Sequence, residues 1–523
     1  MRLHWIGCAA ALLLSAHAAT AATFTWASAS DTLSMDPHSA NDTTSASIES
    51  VVYETLVEFG PGPTLEPMLA ESWSSVAPDR WRFVLRHGVT FHDGRPFTAD
   101  DVVFSIKRAL ADTADTRQEL TSVRGAEKVD TYTVDILTKG PDLILPRELA
   151  DVRMASKAWS EEHDAVLPTD LRAKTESYPT RHENGTGAYR MVTREPDSKT
   201  VFEANPNWWH GRAPFDQVVF MPVANDATRV AALLSGALDM MEPVPVQDLA
   251  RVEQTAGLKV QRTPSLMTIH LGFDQFRPEL LSSNVKGKNP FKNVRVRRAF
   301  SQAIDMDAIQ SRTLRNLART AGTMVAPQVT GWGEDIDKRP PYDPAAAKRL
   351  LADAGYPDGF EVGLDCPNNR YQADEAVCQA VVAMLARIGV KVTLSAQPKA
   401  IFFPKLFRRN VSFWMFGYIS PSYDASYPLV NLIETVNEAE NRGNHNHGEY
   451  SNPAVDDLIH RAGVEMDPEK RTQLMHEALR IHGEDVGHIP LYQQSLLWGM
   501  RQGVEMVQLP DGLLRIWRVR MAQ

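Results

Sequence analysis

Residues 81–110, WRFVLRHGVTFHDGRPFTADDVVFSIKRAL, are the segment that most narrows what this chain can fold into. Large apolar residues occupy every second position from Trp81 to Leu85, which is the period of a strand with one apolar face. The HDGRP run that follows is typical of a turn. Thr98 lies three residues before Asp101, the spacing of a helix cap with an acidic group in the first turn. The segment therefore predicts a strand, a turn and a capped helix, an element of an α/β protein.

The C-terminal half repeats this alternation of helix and strand. Asp343 and Pro344 predict the cap and first position of a helix that Gly355 ends. A strand, a second helix and a second strand follow, at residues 360–366, 374–389 and 391–396. This short alternation predicts a lobe with a mixed or largely parallel sheet. Because 523 residues exceed one ordinary core, we expect two or three domains.

The N-terminus predicts export. Arg2 is the only formally charged residue in the first 30, an apolar run covers residues 6–14, and ATAA at 19–22 offers an A-x-A cleavage site. This order is typical of a signal peptide, which we assign to residues 1–22 and which is too short to span a bilayer. The alternative, a buried N-terminal helix, needs polar punctuation that this run lacks. Cys8 precedes the apolar run, so we expect a periplasmic protein without a lipid anchor.

The charge of the chain excludes some classes of partner. Asp and Glu number 65 against 55 Lys and Arg, a formal charge of −10. Nucleic acids and anionic membranes favour basic surfaces, so we expect neither as a partner.

Residues 292–305 interleave arginines with apolar positions, and we interpret these arginines as the solvated face of a helix.

Cys366 and Cys378 are the cysteines that remain after the predicted signal peptide. The first ends a predicted strand and the second lies in the first turns of a predicted helix, positions that can approach disulfide distance. In an oxidising compartment we favour a disulfide over two buried thiols. Two sulfurs without further ligands do not make a zinc site, and we expect neither a structural metal nor a cofactor.

Eight segments resemble, in order, the family 5 extracellular solute-binding proteins, the receptors of peptide, nickel and related ABC importers. Residues 81–110 carry the family's opening signature. The others are NGTGAYR (184–190), NPNWWHG (205–211), DATRVAALLSGALDM (226–240), NPFKNVRVRRAFSQAID (289–305), YDPAAAKRLLADAGYPDGF (342–360), YSNPAVDDLI (450–459) and HIPLYQQ (488–494). The resemblance implies a two-lobed periplasmic binding protein of type II. Two crossing strands would join the lobes, ligand would lie between them, and an extra domain would be inserted in the first lobe.

The resemblance also implies the boundaries of these units. The first lobe would comprise residues 23–52, 182–270 and a C-terminal return at 489–523. The inserted domain would cover residues 53–181, and the second lobe residues 271–488. The implied partners are a peptide or other small solute and the permease subunits of an ABC transporter, with the binding protein itself a monomer.

The segment FWMFGYISPSYDASY, residues 413–427, is the expected ligand-facing part of the second lobe. In peptide-binding relatives this strand end lies along the peptide, and an aspartate just beyond it pairs with the free α-amino group. Here Pro421 occupies that position and Asp424 comes three residues later. Either Asp424 takes over the cation-binding role or the ligand carries no such amine. An opine, a modified peptide, a glycoside and a metal chelate all stay open.

The residues that we expect to bind ligand lie on both lobes and at the crossing. They are Met35, His38, His270, Tyr418, Ser420, Tyr423, Asp424 and Asn444. Aromatic rings would cover apolar parts of the ligand, Asp424 would bind a cationic group, and Ser420 and Asn444 would supply hydrogen bonds. His445 and His447 are interpreted as a polar loop at the cleft rim, with metal binding as the less favoured alternative.

No catalytic motif stands out. The sequence has no G-x-S-x-G elbow, no H-E-x-x-H helix and no phosphate-binding loop. We therefore expect a binding protein rather than an enzyme. A secreted hydrolase with an unrecognised site is the alternative, since catalytic motifs do not transfer between families.

Overall fold

The structure is a computed structural model that describes residues 22–173 and 176–522. Its strands are β1 (Thr23–Ser28), β2 (Val57–Phe59), β3 (Leu65–Pro67), β4 (Ala70–Ala77), β5 (Arg80–Leu85), β6 (Val123–Asp130), β7 (Thr133–Thr138), β8 (Tyr189–Glu195), β9 (Lys199–Ala204), β10 (Gln217–Pro222), β11 (Met240–Met241), β12 (Leu258–Phe273), β13 (Ala318–Thr320), β14 (Glu361–Pro367), β15 (Lys391–Gln397), β16 (Phe413–Tyr418), β17 (His488–Arg501), β18 (Val504–Glu505) and β19 (Arg520–Met521).

The α-helices in the same residues are α1 (Thr43–Glu49), α2 (Ala99–Ala109), α3 (Leu145–Glu148), α4 (Lys157–Glu162), α5 (Asp226–Leu234), α6 (Leu249–Gln254), α7 (Val294–Ala303), α8 (Met306–Ala308), α9 (Pro344–Asp353), α10 (Asp374–Ala386), α11 (Lys399–Phe407), α12 (Ser426–Pro428), α13 (Pro453–Val464) and α14 (Pro468–Glu484). Across the described residues, no helix has the length and apolar character needed to cross a bilayer. The predicted signal peptide, residues 1–22, lies outside the described residues except for Ala22.

One large sheet continues from the first lobe into the second. Its 11 strands follow the order β15-β14-β16-β12-β17-β11-β1-β10-β9-β8, and β13 joins β17 at one side. The long strands β12 and β17 pair antiparallel, and their register shifts between Pro264 and Thr268. One end of β17 pairs with β11, and the far end of β12 pairs with β16. The two strands therefore join two lobes, and the predicted two-lobed α/β fold is confirmed.

A separate sheet lies within the predicted inserted domain. Its order is β4-β5-β7-β6. Trp81, Phe83 and Leu85 of β5 turn their side chains into the core, as the alternation predicts. Helix α2 begins after Thr98, whose backbone N–H donates to the Asp101 carboxylate at 3.0 Å. The predicted boundaries of the domain, at 53 and 181, remain predictions.

The second lobe has the predicted helix–strand alternation. Asp343 caps α9 by accepting a hydrogen bond from Ala346 N–H, and Gly355 takes a left-handed φ of 91° just after the helix. Strand β14 is parallel to β15 and to β16. A disulfide joins Cys366 to Cys378 with their Cα atoms 6.8 Å apart, which links β14 to α10.

The interpretation of the arginines at 292–305 as a solvated face is wrong for Arg297. This side chain is 6% exposed and donates to the carbonyls of Asp485 and Val486. Arg298 donates to the carbonyl of Glu484. The two guanidinium groups thus satisfy the carbonyls at the end of α14, where a cation is also favoured by the helix dipole.

Candidate functional site

One face of the second-lobe sheet carries a row of polar and aromatic side chains. Thr268 pairs with Tyr418 and His270 pairs with Phe416 across β12 and β16. Residues two apart on neighbouring strands share a face, so these four side chains lie together. Phe416 and Tyr418 belong to a hydrophobic cluster that also contains Phe59 and other residues of the predicted inserted domain. The row therefore faces the meeting point of the two lobes.

Two further imidazoles lie against this row. The ring of His445 is 5.2 Å from that of Tyr418 and stacks on Phe416 at 6.2 Å. The ring of His447 is 5.8 Å from Phe416, and that of His270 is 5.6 Å from it. Phe416 is thus surrounded by three imidazole rings. We call His270, Phe416, Tyr418, His445 and His447 the aromatic–histidine cluster.

The imidazoles of this cluster have unused polar atoms. Nε2 of His270, Nδ1 of His445 and Nε2 of His447 are buried and have no hydrogen-bond partner among the described residues. Burial lowers the pKa of His270 and of His445 to about 4, and that of His447 to about 3. The rings are therefore neutral at pH 7. Buried polar atoms usually have a partner, so these three nitrogens are positions where a bound solute or water can donate or accept.

Glu119 bridges the two lobes beside this cluster. Its Oε1 accepts from Asn41 Nδ2 at 2.8 Å and from the Tyr427 hydroxyl at 3.1 Å, and the Tyr427 ring stacks on Tyr418 at 5.7 Å. Burial and, to a smaller degree, Asp151 raise the pKa of Glu119 to about 7. Within the residues that the structure describes, no cation forms an ion pair with Glu119. A carboxyl group at the lobe contact thus has only neutral donors.

A second contact between the lobes involves Tyr423. The Arg147 guanidinium donates to the carbonyl of Ser422 at 3.2 Å, and the Tyr423 ring lies 4.6 Å from that of Phe59. Ser420, also predicted to bind ligand, is buried and its carbonyl accepts from Tyr423 N–H. The structure is therefore a closed arrangement, with the turn after β16 packed against the inserted domain.

Asp424 has a cation of its own chain as its partner. Arg471 on α14 donates to both carboxylate oxygens, at 2.7 and 2.9 Å, and Ser426 N–H donates to Oδ1. Burial tends to raise the pKa of Asp424, but the neighbouring Arg471 holds it below its ordinary value. Both side chains are buried. This geometry favours a structural role for Asp424 rather than the predicted binding of a ligand cation.

Met35 and His38 lie apart from the aromatic–histidine cluster. Met35 is fully buried in the core of the first lobe. Nε2 of His38 contacts the Arg153 carbonyl at 2.9 Å and its Nδ1 contacts Arg108, which pairs with Asp36. Burial and Arg108 lower the pKa of His38 to about 3. These contacts join the first lobe to the inserted domain, so the structure favours a packing role for both residues.

The remaining predicted residues divide between cluster and rim. His270 and Tyr418 are in the cluster, whereas Asn444 is exposed and donates to the Asn441 carbonyl at 3.0 Å. Phe416 and Glu119 are not among the residues that the sequence predicts to bind ligand. The aromatic run around Phe416 was a usable signal, but Glu119 has none, because its partners are distant in sequence. In the described part of the chain, no group of three or more His, Cys, Asp or Glu could hold a metal ion.

Known proteins share this sequence and fold along nearly its whole length. Residues 64–439 match the family model "Bacterial extracellular solute-binding proteins, family 5 Middle". Heme-binding protein A of Haemophilus influenzae is 29% identical over 504 residues, 90% of this chain and 86% of that protein. Glutathione-binding protein GsiB of Escherichia coli O1:K1 / APEC is 29% identical over 476 residues, 88% of this chain and 87% of that protein.

The structure of HbpA2 from Haemophilus parasuis superimposes with a TM-score of 0.79 at 24% identity, covering 96% of this chain and all of that one, and this likeness bears on the fold alone. The family match is independent of that superposition and spans more than half of the sequence. The chain belongs to family 5 of the bacterial extracellular solute-binding proteins.

Proposed function

We propose that this protein is the periplasmic substrate-binding component of an ABC importer. It captures a small peptide or peptide-like solute between its lobes and delivers the solute to a membrane permease. The observation that carries the proposal is the aromatic–histidine cluster beside Glu119, because aromatic walls with a few unpartnered polar groups are what such a solute needs. The family membership and the glutathione-binding relative support it.

Glu119 is the group that we assign to a cationic part of the solute. Asp424 is already neutralised by Arg471, whereas Glu119 is buried and, in the part of the chain that the structure describes, has only Asn41 and Tyr427 as donors. An ammonium group would form a charge-assisted hydrogen bond with its carboxylate, about twice as strong as a neutral one. The neutral imidazoles would contact amide groups, and Phe416 and Tyr418 would cover apolar parts.

Binding to both lobes would also explain closure. A solute that contacts Glu119 and the second-lobe cluster interacts with both lobes only in the closed form. A preference of about 5.5 kcal/mol for that form takes a population from about 1:99 to 99:1. The solute is released unchanged, so no catalytic group is required.

A metal-chelate receptor is the second candidate, and the same imidazoles favour it. His445 and His447 have ring centroids 5.8 Å apart and unpartnered nitrogens, and neutral imidazole is the form that binds transition metals. The described residues hold no complete metal site, so the metal would arrive already bound by its own chelator. The heme-binding relative supports this candidate.

Identification of the co-purified solute tests both candidates. Protein purified from periplasm is denatured, and the released solute is analysed by mass spectrometry and elemental analysis; reduced glutathione is then titrated into the stripped protein. A peptide-like mass at one per chain supports the first candidate, and stoichiometric metal supports the second. Steady turnover of peptide or ester substrates would instead establish the hydrolase alternative and refute both.

A further inference from the structure

A cavity of about 500 Å³ lies in the second lobe and at the start of the C-terminal return. It is partly open to solvent and is bordered by α7, the segment 322–340, the end of α14 and the start of β17. All of its lining residues lie between Arg298 and Pro490, and none belongs to the aromatic–histidine cluster, but the ring of His488 lies 5.2 Å from that of His270 in the cluster. The cavity thus has its own lining residues and lies next to the proposed solute site between the lobes.

The charges around this cavity are unbalanced. Four cationic side chains line it: Arg298, Lys338, Arg339 and Arg480. Two carboxylates also line it: Asp335, which lies 3.0 Å from the imidazole of His476, and Glu484, which pairs with Arg480. Arg480 also pairs with Glu477 at 2.6 Å. In the described residues, the other three cations have no carboxylate partner, so the lining has an excess of positive charge.

Arg339 is the central cation of this lining. Its Nη1 donates to the Pro490 carbonyl and its Nη2 to the Ser301 carbonyl, while Nε makes no hydrogen bond in the part of the chain that the structure describes. Burial lowers the pKa of Arg339 to about 10, so the side chain is still charged at pH 7. A partly buried guanidinium with only carbonyl partners is stabilised further by an oxyanion, which it can bind through two parallel bonds.

Neutral side chains that can donate hydrogen bonds also line the cavity. Thr323 is 5% exposed and its hydroxyl has no hydrogen-bond partner in the described residues. Nε2 of His482 lies 3.0 Å from Nδ1 of His488, so when His482 donates, Nε2 of His488 carries a hydrogen. A hydroxyl, an imidazole N–H and a guanidinium are the donor types that carboxylate and phosphate groups accept from.

We propose that this cavity binds a small organic oxyanion, a carboxylate or phosphate compound, through Arg339 and Lys338. Its volume lies within the range of small-molecule sites, about 300–1,000 Å³. Lys338 is exposed and makes no hydrogen bond within the described residues, so it adds a second charge at the mouth. The site does not depend on the identity of the solute bound between the lobes.

Calorimetric titration with citrate and, separately, inorganic phosphate at low ionic strength tests the proposal. Wild-type protein should bind at least one of the two anions with a stoichiometry of one. Arg339→Met should weaken binding by about tenfold or more, as expected for loss of a charged hydrogen bond, and Lys338→Met should weaken it by a smaller factor. Tighter binding of citrate would indicate a carboxylate site, and tighter binding of phosphate would indicate a phosphate site.

Arg295→Met is the matched control, because this arginine is exposed and is not among the described residues that line the cavity. It should leave anion affinity within about twofold of wild type. Lys338→Met removes no hydrogen bond, so it serves as the second test if Arg339→Met fails to fold. The proposal would be overturned if neither anion bound to the wild-type protein, or if wild type, Arg339→Met and Lys338→Met bound the anion with equal affinity.

Discussion

Removal of the Asp424 carboxylate should destabilise the protein far more than it weakens solute binding. Asp424 is 1% exposed and Arg471 is 4% exposed, and the guanidinium binds both carboxylate oxygens. Asp424→Asn therefore leaves a buried cation without an anion, a change that costs about 3–5 kcal/mol. Replacing both partners by apolar residues removes this penalty, so Asp424→Leu combined with Arg471→Met should recover much of the loss.

Urea unfolding of the stripped protein measures this effect. Asp467→Asn is the control, since that residue caps the start of the same helix α14 and, in the described residues, forms an ion pair only with exposed Lys470. Asn caps a helix about as well as Asp, so this change should cost less than about 0.5 kcal/mol. The pH dependence has a defined sign. Because the pKa of Asp424 is lowered from its ordinary 3.8, the pair stabilises the fold above that pH and the stabilisation is lost as the pH falls through the lowered pKa.

The refuting result is equally specific. If Asp424→Asn weakened binding of the co-purified solute at least tenfold while its unfolding midpoint stayed at the wild-type value, Asp424 would be a solute-binding group. The assignment of the cationic contact to Glu119 would then be wrong.

Three further predictions concern the lobe contact and the disulfide. In solute-free protein, closure measured by small-angle scattering should be favoured at pH 5 over pH 7.5. Burial and Asp151 raise the pKa of Glu119 to about 7 in the closed arrangement, so closure should weaken, by at most about 1.4 kcal/mol per pH unit, as the pH rises toward that value. Glu119→Gln should flatten this dependence, and an unchanged profile would contradict the bridge. His447→Leu should reduce solute affinity about tenfold without loss of stability, since it removes a buried nitrogen that has no partner in the described residues. His182→Leu, at an exposed histidine, should leave both solute affinity and stability unchanged. Calorimetry measures the affinities and urea unfolding measures the stabilities. Unfolded, unreduced mature protein should show no free thiol, and Cys366→Ser/Cys378→Ser should cost about 3 kcal/mol; two reactive thiols would count against the bond.

Local interactions made much of the fold predictable from sequence. The caps of α2 and α9, the alternation of β5 and the helix–strand order around Cys366 depend on residues within a few positions of each other. Such patterns state which face of an element is buried. They do not predict which side chain from a distant part of the sequence packs against that face. The predicted roles of site residues differ from the structure where they depend on such distant contacts.

The partners of Asp424 and Glu119 illustrate this limit. Arg471 lies 47 residues from Asp424 and Tyr427 lies 308 residues from Glu119. Each pairing follows from the packing of whole helices and lobes, and nothing near either carboxylate distinguishes it from a surface acid. His270 and Tyr418 were predictable because a long strand and an aromatic strand end already place them on the sheet.

The register shift between Pro264 and Thr268 has a consequence for how the lobes move. The connection between the lobes is a two-stranded ribbon whose ladder is interrupted at this point, and proline supplies no backbone donor there. Bending at the interruption leaves the paired segments on either side intact. A second register shift follows between Ile269 and His270. We therefore expect the lobes to open by flexing of the ribbon at these shifts, without unfolding of any element of either lobe.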